Sequence, residues 1–305
     1  MKHQIENVPA SIQARLKNEA DKRGRFFNEI LQYYGMERFL YRLSKTAYAK
    51  DFILKGGLMF YGLDIPMRRP TRDIDFLATE EYTQNDLLTV FHAAMAVSFP
   101  EDGIVFDPNT LRLSQTQAEV NQGGIRITFT GHLGTVRLPV QIDVGFSDEL
   151  VSEALDVEYP VLLSGMERPQ LKGYPLESII SEKFHAMIRF ADLNSRWKDY
   201  YDIYLLADIF EFESQLLIDA INATFSNRPT KLMDGIPYGL RDEFAVANQE
   251  NWESFLHKSK LENDSIQDLK VVINRIWQFI EYPLQGVKVE VRIQEKLWTP
   301  NRGWR

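Results

Sequence analysis

The chain predicts an α+β fold in two parts, a mixed sheet with flanking helices and then a mainly helical half. Three observations predict it. Several short segments between about Asp51 and Phe146 alternate apolar and polar residues at the period of a strand. They are bounded by the Gly, Pro and Asn residues expected at turns. After about Ser164 the apolar spacing changes to the three and four residues of helices almost throughout. A chain of 305 residues is more than one typical domain, and we expect the division between residues 1–165 and 166–305.

Taken in order, Phe26, Phe27, Ile30, Leu31, Tyr34, Phe39, Leu40 and Leu43 recur at helical spacing and predict two or three helices between about Pro9 and Lys50. "DFILKGG" is a short apolar strand ending in the glycine pair Gly56 and Gly57; a brief turn of helix and the strand "RDIDFLA" follow it. "QNDLLTVFHAAMAVSF" reads as an amphipathic helix, and "GIRITFTGHLG" and "GTVRLPVQIDVGF" as strands. The helices of the second half are "PLESIISEKFHAMIRF", "SRWKDYYDIYLLADIF", "ESQLLIDAINATF" and "IQDLKVVINRIWQFIEY".

Composition narrows the chemistry. No run approaches the roughly 18 apolar residues of a membrane span, and "MKHQIENVPASIQ" lacks the apolar centre of a secretory signal, so a cytoplasmic protein away from membranes is expected. With no cysteine, disulfides, zinc thiolates and thiol nucleophiles are excluded, and the five histidines are scattered. A net charge of −8 argues against a uniformly basic nucleic-acid binder. Local cationic clusters remain at Arg68, Arg69 and Arg72, and at Arg189, Arg196 and Lys198. Lys288, Arg292, Lys296, Arg302 and Arg305, strewn along the tail, read as solvated surface.

The chemistry concentrates in carboxylates. Residues two apart on a strand share a face, so Asp73 and Asp75 form one acidic edge while Ile74 and Phe76 point into the opposite layer. A later strand repeats the pattern: Val140, Ile142 and Val144 make an apolar face, with Asp143 and Gln141 on the other. If the two strands are neighbours, three carboxylates converge, and oxygen-only ligands on a rigid sheet suit magnesium. The glycines upstream let backbone N–H groups approach a triphosphate, although a glycine pair is also a plain tight turn.

In the second half, Leu176, Ile179, Ile180, Phe184, Met187 and Ile188 form an apolar helical stripe that Lys183 interrupts, so the lysine has either to snorkel out or to meet an anion. His185 lies off that stripe and reads as surface or structural. On the next helix Asp199 shares a stripe with Ile203, Leu206 and Phe210, whereas Asp202 fits a surface pair with Lys198 at i, i+4. Trp197 and Tyr200 are either core or a platform for a base.

Glycine pair, D-x-D strand and third Asp together resemble the layout of the DNA polymerase β superfamily of nucleotidyltransferases, with Leu58 where Ser or Thr often follows the glycines. More closely, "ERFLYRLSKTAYAKDFILKGG", "RRPTRDIDF", "VQIDVGFSD", "YPLESIISEKFHAMIRF" and "NSRWKDYYDIYLLA" resemble, in order and spacing, the AbiEii/AbiGii family of nucleotidyltransferase toxins, over about residues 8–210. The resemblance implies a polymerase-β-type nucleotidyltransferase domain with N-terminal helices, then a helical domain that closes the cleft. It implies a Mg²⁺-dependent toxin of a toxin–antitoxin or abortive-infection system that transfers NMP from NTP to an acceptor, releasing pyrophosphate. The implied acceptor is RNA, above all the 3′ end of tRNA, and the implied partner is a cognate antitoxin on a separate chain.

Carried onto this sequence, the resemblance implies that Lys55, Gly56, Gly57, Arg72, Arg196, Lys198 and Asp202 bind the nucleotide, with Asp73 and Asp75 as metal ligands. Asp143 is a third ligand or accepts the acceptor's proton, and Lys183 and Asp199 join the acidic pair as catalytic groups. Transfer to a protein or a small molecule, and a catalytically silent binding module, are the alternatives.

Overall fold

In the computed structural model the described residues are 7–63, 65, 70–116, 124–146, 150–190, 196–226, 228, 230–232, 235–261, 266–288 and 293–305. Arg68, Arg69, Arg292 and the Lys288 side chain lie outside them. The chain divides into two compact units, Met1–Asp148 with Ala154–Tyr174, and Glu149–Glu153 with Pro175–Arg305. The fold is α+β, with a mixed sheet in the first unit and a mainly helical second unit. No described helix is long and apolar enough to cross a membrane.

The first unit opens with α1 (Val8–Arg23) and α2 (Phe27–Ser44). The Asn7 side chain accepts the Ala10 N–H at the start of α1, and Gly24 ends the helix in the left-handed conformation at φ 62°. That break turns Phe26 out to solvent, whereas Ile30, Leu31, Tyr34, Phe39, Leu40 and Leu43 are buried as their spacing predicts. β1 (Phe52–Lys55) leads directly into the short helix α3 (Gly56–Gly62), followed by β2 (Ile74–Ala78) and α4 (Gln84–Ala96). Thr83 and Asp86 form a reciprocal capping box at the start of α4.

Five further strands complete the sheet: β3 (Ile104–Gln115), β4 (Ile125–Leu133), β5 (Val136–Gly145), β6 (Leu155–Glu158) and β7 (Gln170–Gly173). The order is β3-β4-β5-β2-β1-β7-β6, with β2 parallel to β5 and β1 parallel to β7. β7 follows Ser164, where the sequence reads as helix almost throughout. Its Leu171 and Gly173 are buried, and its pairing to β1 is a contact that no local pattern announces.

Burial alternates along the central strands. Ile74 and Phe76 on β2, and Val140, Ile142 and Val144 on β5, are inside. Phe39 of α2 packs in this core against Phe91 of α4, Phe106 of β3 and Phe129 of β4, with ring centroids 4.9 to 5.7 Å apart. The residues between the apolar ones, Asp73, Asp75 and Asp143, are half-buried on the other face.

The second unit holds α5 (Leu176–Phe190), α6 (Trp197–Ile209), α7 (Ser214–Ser226), α8 (Asp242–Ser259) and α9 (Leu269–Lys288). A small antiparallel sheet of β8 (Phe212–Glu213), β9 (Leu297–Thr299) and β10 (Gly303–Trp304) accompanies them. Arg302 and Arg305 are exposed as expected, while other residues of the tail enter the core. Trp298 is buried, donates its indole N–H to the Ala207 carbonyl at 2.7 Å, and packs against Phe279 of α9.

Candidate active site

In the first unit, strand register sets the site. Lys55 on β1 stands opposite Asp75 on β2, Asp75 opposite Asp143 on β5, and Asp143 opposite Arg126 on β4. Directly opposed residues share a face, so four strands present a row of cation, carboxylate, carboxylate, cation. Asp73 adds a third carboxylate one step along the same face. One oxygen from each of Asp73, Asp75 and Asp143 lies within 4.8 Å of the others. Three carboxylates so close repel one another unless cations compensate them, and an all-oxygen donor set fits a hard divalent cation.

In this unit Arg126 supplies compensating charge. Arg126 makes a bidentate pair with Asp143, Nε to Oδ1 and Nη2 to Oδ2, both at 2.8 Å. That hydrogen bonding to Asp143, reinforced by Asp73 and Asp75, raises the guanidinium pKa above its ordinary value. Asp73 accepts the Thr71 hydroxyl at 3.3 Å. Arg72 is exposed, and no ion pair reaches it among the described residues. Arg126 is the functional candidate that sequence reasoning missed. Its signal was present in "GIRITF", where Ile127 and Phe129 are core and Arg126 and Thr128 point the other way.

The glycine pair has a geometric reason. Gly56 has φ 69°, and a Cβ built on it would stand 1.9 Å from Oδ2 of Asp75. Only a residue without a side chain lets the strand-to-helix turn lie against that carboxylate. Lys55, just before it, places its ammonium 4.2 Å from the Tyr174 ring centroid. Leu58 is buried.

The second unit carries its own charged cluster. Lys183 Nζ on α5 lies 2.9 Å from Asp199 Oδ1 and 2.8 Å from Asp202 Oδ2, both on α6. Arg196 Nε reaches Asp199 Oδ2 at 2.6 Å. The lysine therefore meets anions, one of the two outcomes its place on an apolar stripe required. Burial pushes the Asp199 carboxyl up, but Lys183 and Arg196 outweigh it and hold the pKa at about 2. Asp202 is as buried as Asp199, because the α6 face bearing both packs towards α5, which corrects the expectation of a surface residue. Arg196 and Lys198 are exposed.

Neighbouring residues settle as structure. Tyr200 is fully buried with its ring stacked on Phe244, so it is core and not a platform for a base, while Trp197 beside it is half-buried. His185 is buried edge-on to Phe225, and burial, with Arg228 and Arg189 nearby, lowers its pKa to about 4.

Comparison with known proteins adds a family. The family described as nucleotidyl transferase AbiEii toxin, type IV TA system, matches residues 38–282. No curated protein sequence matches the chain. Among solved structures, JHP933 from Helicobacter pylori is similar at 14% identity and TM-score 0.45, over 83% of this chain and 89% of that one. A second H. pylori chain, assigned as a nucleotidyltransferase, is similar at 14% identity and TM-score 0.45, over 86% of this chain and 97% of its own. Likeness at that level adds nothing to the assignment of function.

Proposed function

The chain belongs to the AbiEii nucleotidyl transferase toxin family of type IV toxin–antitoxin systems, and from that premise we propose that it transfers NMP from a Mg²⁺-bound NTP to the 3′ end of tRNA. The observation that carries the proposal is the trio of Asp73, Asp75 and Asp143, whose ligand oxygens lie within 4.8 Å of one another, with Asp75 and Asp143 aligned by the register of β2 and β5. Asp73 and Asp75 would hold magnesium, and Asp143 would be a third ligand or take the acceptor's proton. The bound ion would supply charge neutralisation at the triphosphate and activation of the attacking oxygen.

The remaining roles fall to the chain's own cations and backbone. Gly56 and Gly57 admit the phosphates close to the main chain, with Lys55 and Arg72 supplying positive charge. In the second unit Lys183 and Arg196 stabilise phosphate charge, held in place by Asp199 and Asp202, and Lys198 adds to nucleotide binding. The acceptor hydroxyl oxygen bonds to the α-phosphorus, the bond to the β-phosphate oxygen breaks, and pyrophosphate leaves. Blocked tRNA ends would stop translation and growth, relieved by the cognate antitoxin that the family implies, here expected on a separate chain.

The test is to incubate the protein with each NTP labelled at the α-phosphate and with total cell RNA, then ask what carries the label. Label at tRNA 3′ ends is the expected result. Label on a protein or a small molecule, with purified tRNA unmodified under every NTP, overturns the acceptor.

A further inference from the structure

Arg126 stands where a metal would draw on Asp143. Both oxygens of that carboxylate accept from one guanidinium fork at 2.8 Å. In this geometry neither Asp143 oxygen is free of a cation, whereas among the described residues Asp73 accepts only the neutral Thr71 hydroxyl. The three carboxylates are thus unequal. The pair is also partly open to solvent, with the Arg126 side chain 42% and the Asp143 side chain 21% exposed. A partly solvated pair is cheap to exchange, unlike the fully buried bidentate pair of Arg42 and Asp102 in the same unit.

We propose that Arg126 is a positioning residue that holds Asp143 as an internal counter-ion and must be exchanged for a divalent cation before Asp143 can act as a ligand. Without the ion, the guanidinium relieves repulsion among three carboxylates and keeps the sheet face intact. With the ion, its fixed positive charge opposes binding and releases Asp143 only to a competitor that coordinates it. Arg126 therefore sets the affinity of the metal centre and the order in which two of its ligands engage, Asp73 before Asp143. The inference rests on the proposed metal-dependent reading of the same carboxylates.

The test measures binding, not turnover. The full-length chain, free of nucleotide, is titrated with MnCl₂ by calorimetry and by loss of the free-ion EPR signal. The variants are Arg126→Gln, Arg126→Lys, Asp143→Asn and the Arg126→Gln/Asp143→Asn double variant. Arg126→Gln is expected to bind Mn²⁺ about fivefold more tightly than the unaltered chain, the low end of coupling energies, as suits a pair that solvent partly screens. Arg126→Lys, which keeps the charge but not the fork, should fall between. In the Asp143→Asn background the gain from Arg126→Gln should shrink, since the arginine then has no ligand to hold back.

Melting of each variant in EDTA checks folding, and a melting temperature that falls in Arg126→Gln with EDTA and recovers with Mn²⁺ supports the same exchange. Unchanged or weaker Mn²⁺ binding in both Arg126 variants overturns the inference while leaving the metal centre standing. A full gain in the Asp143→Asn background also overturns it, because Arg126 would then act only on Asp73 and Asp75. If the unaltered chain binds no Mn²⁺ at all, the metal centre falls and the inference with it.

Discussion

The Asp75 carboxylate occupies the space that a side chain on Gly56 would need: a Cβ there would lie 1.9 Å from Oδ2, 2.8 Å from Cγ and 3.0 Å from Cβ of Asp75. The obstruction reaches back to the Cβ, so rotation of the Asp75 side chain does not remove it. Gly56 also sits at φ 69°, where an L side chain costs about 1–2 kcal/mol. Gly56→Ala should therefore lose at least that much stability in urea denaturation and most of its nucleotidyl transfer, because Asp75 is pushed out of line with Asp143. Unchanged values of both would mean that the turn does not position the carboxylate.

Lys183 bridges two buried carboxylates of α6, Asp199 and Asp202. From sequence, Lys183→Met looks harmless to packing, since Met suits the apolar stripe. The structure changes that expectation, because the substitution removes from the buried Asp199 and Asp202 the ammonium that both carboxylates meet. Removing one partner of a buried pair costs about 3–5 kcal/mol. Lys183→Met should then melt well below the unaltered chain. The triple variant Lys183→Met, Asp199→Asn, Asp202→Asn should recover part of the loss. A melting temperature equal to that of the unaltered chain would contradict the buried pairing.

The carboxyl of Asp199 makes stability depend on acid. Its folded pKa of about 2 lies below the ordinary 3.8, so its contribution is fully present above about pH 4 and is lost as pH falls through about 2. By linkage the shift corresponds to roughly 2 kcal/mol. Urea midpoints measured from pH 5 to pH 2 should fall more steeply for the unaltered chain than for Asp199→Asn. Parallel curves would mean that Lys183 and Arg196 do not stabilise this carboxylate.

Much of the site was legible because its signals are local. Asp73, Asp75 and Asp143 alternate with core residues, and a period of two is read from a few neighbours. Lys183 and Asp199 were visible as charges set in apolar helical stripes. Arg126 was not, because its meaning comes from pairing with Asp143 across a hairpin, and register decides which polar residue of β4 stands opposite. The strand Gln170–Gly173 escaped for a similar reason: four residues carry little periodicity, and its partner β1 is more than a hundred positions away. For Asp202 the i, i+4 lysine on its own helix suggests a surface pair, while Lys183, which it meets in the structure, lies on α5. At the tail, β9 and β10 pair across "TPNRG", a hairpin absent from the sequence reading, and only tertiary contact buries Trp298.

Metal-dependent nucleotidyl transfer by the aligned carboxylates depends above all on Asp75, which stands between Lys55 and Asp143 in the cross-strand row. The most direct measurement is pyrophosphate release from NTP with tRNA, at saturating magnesium and in EDTA, for the unaltered chain and for Asp75→Asn. Release should need magnesium and be abolished in Asp75→Asn, with melting in EDTA unchanged or slightly raised because one of three mutually repelling carboxylates is neutralised. Undiminished release from Asp75→Asn, or release from the unaltered chain in EDTA, would contradict that dependence.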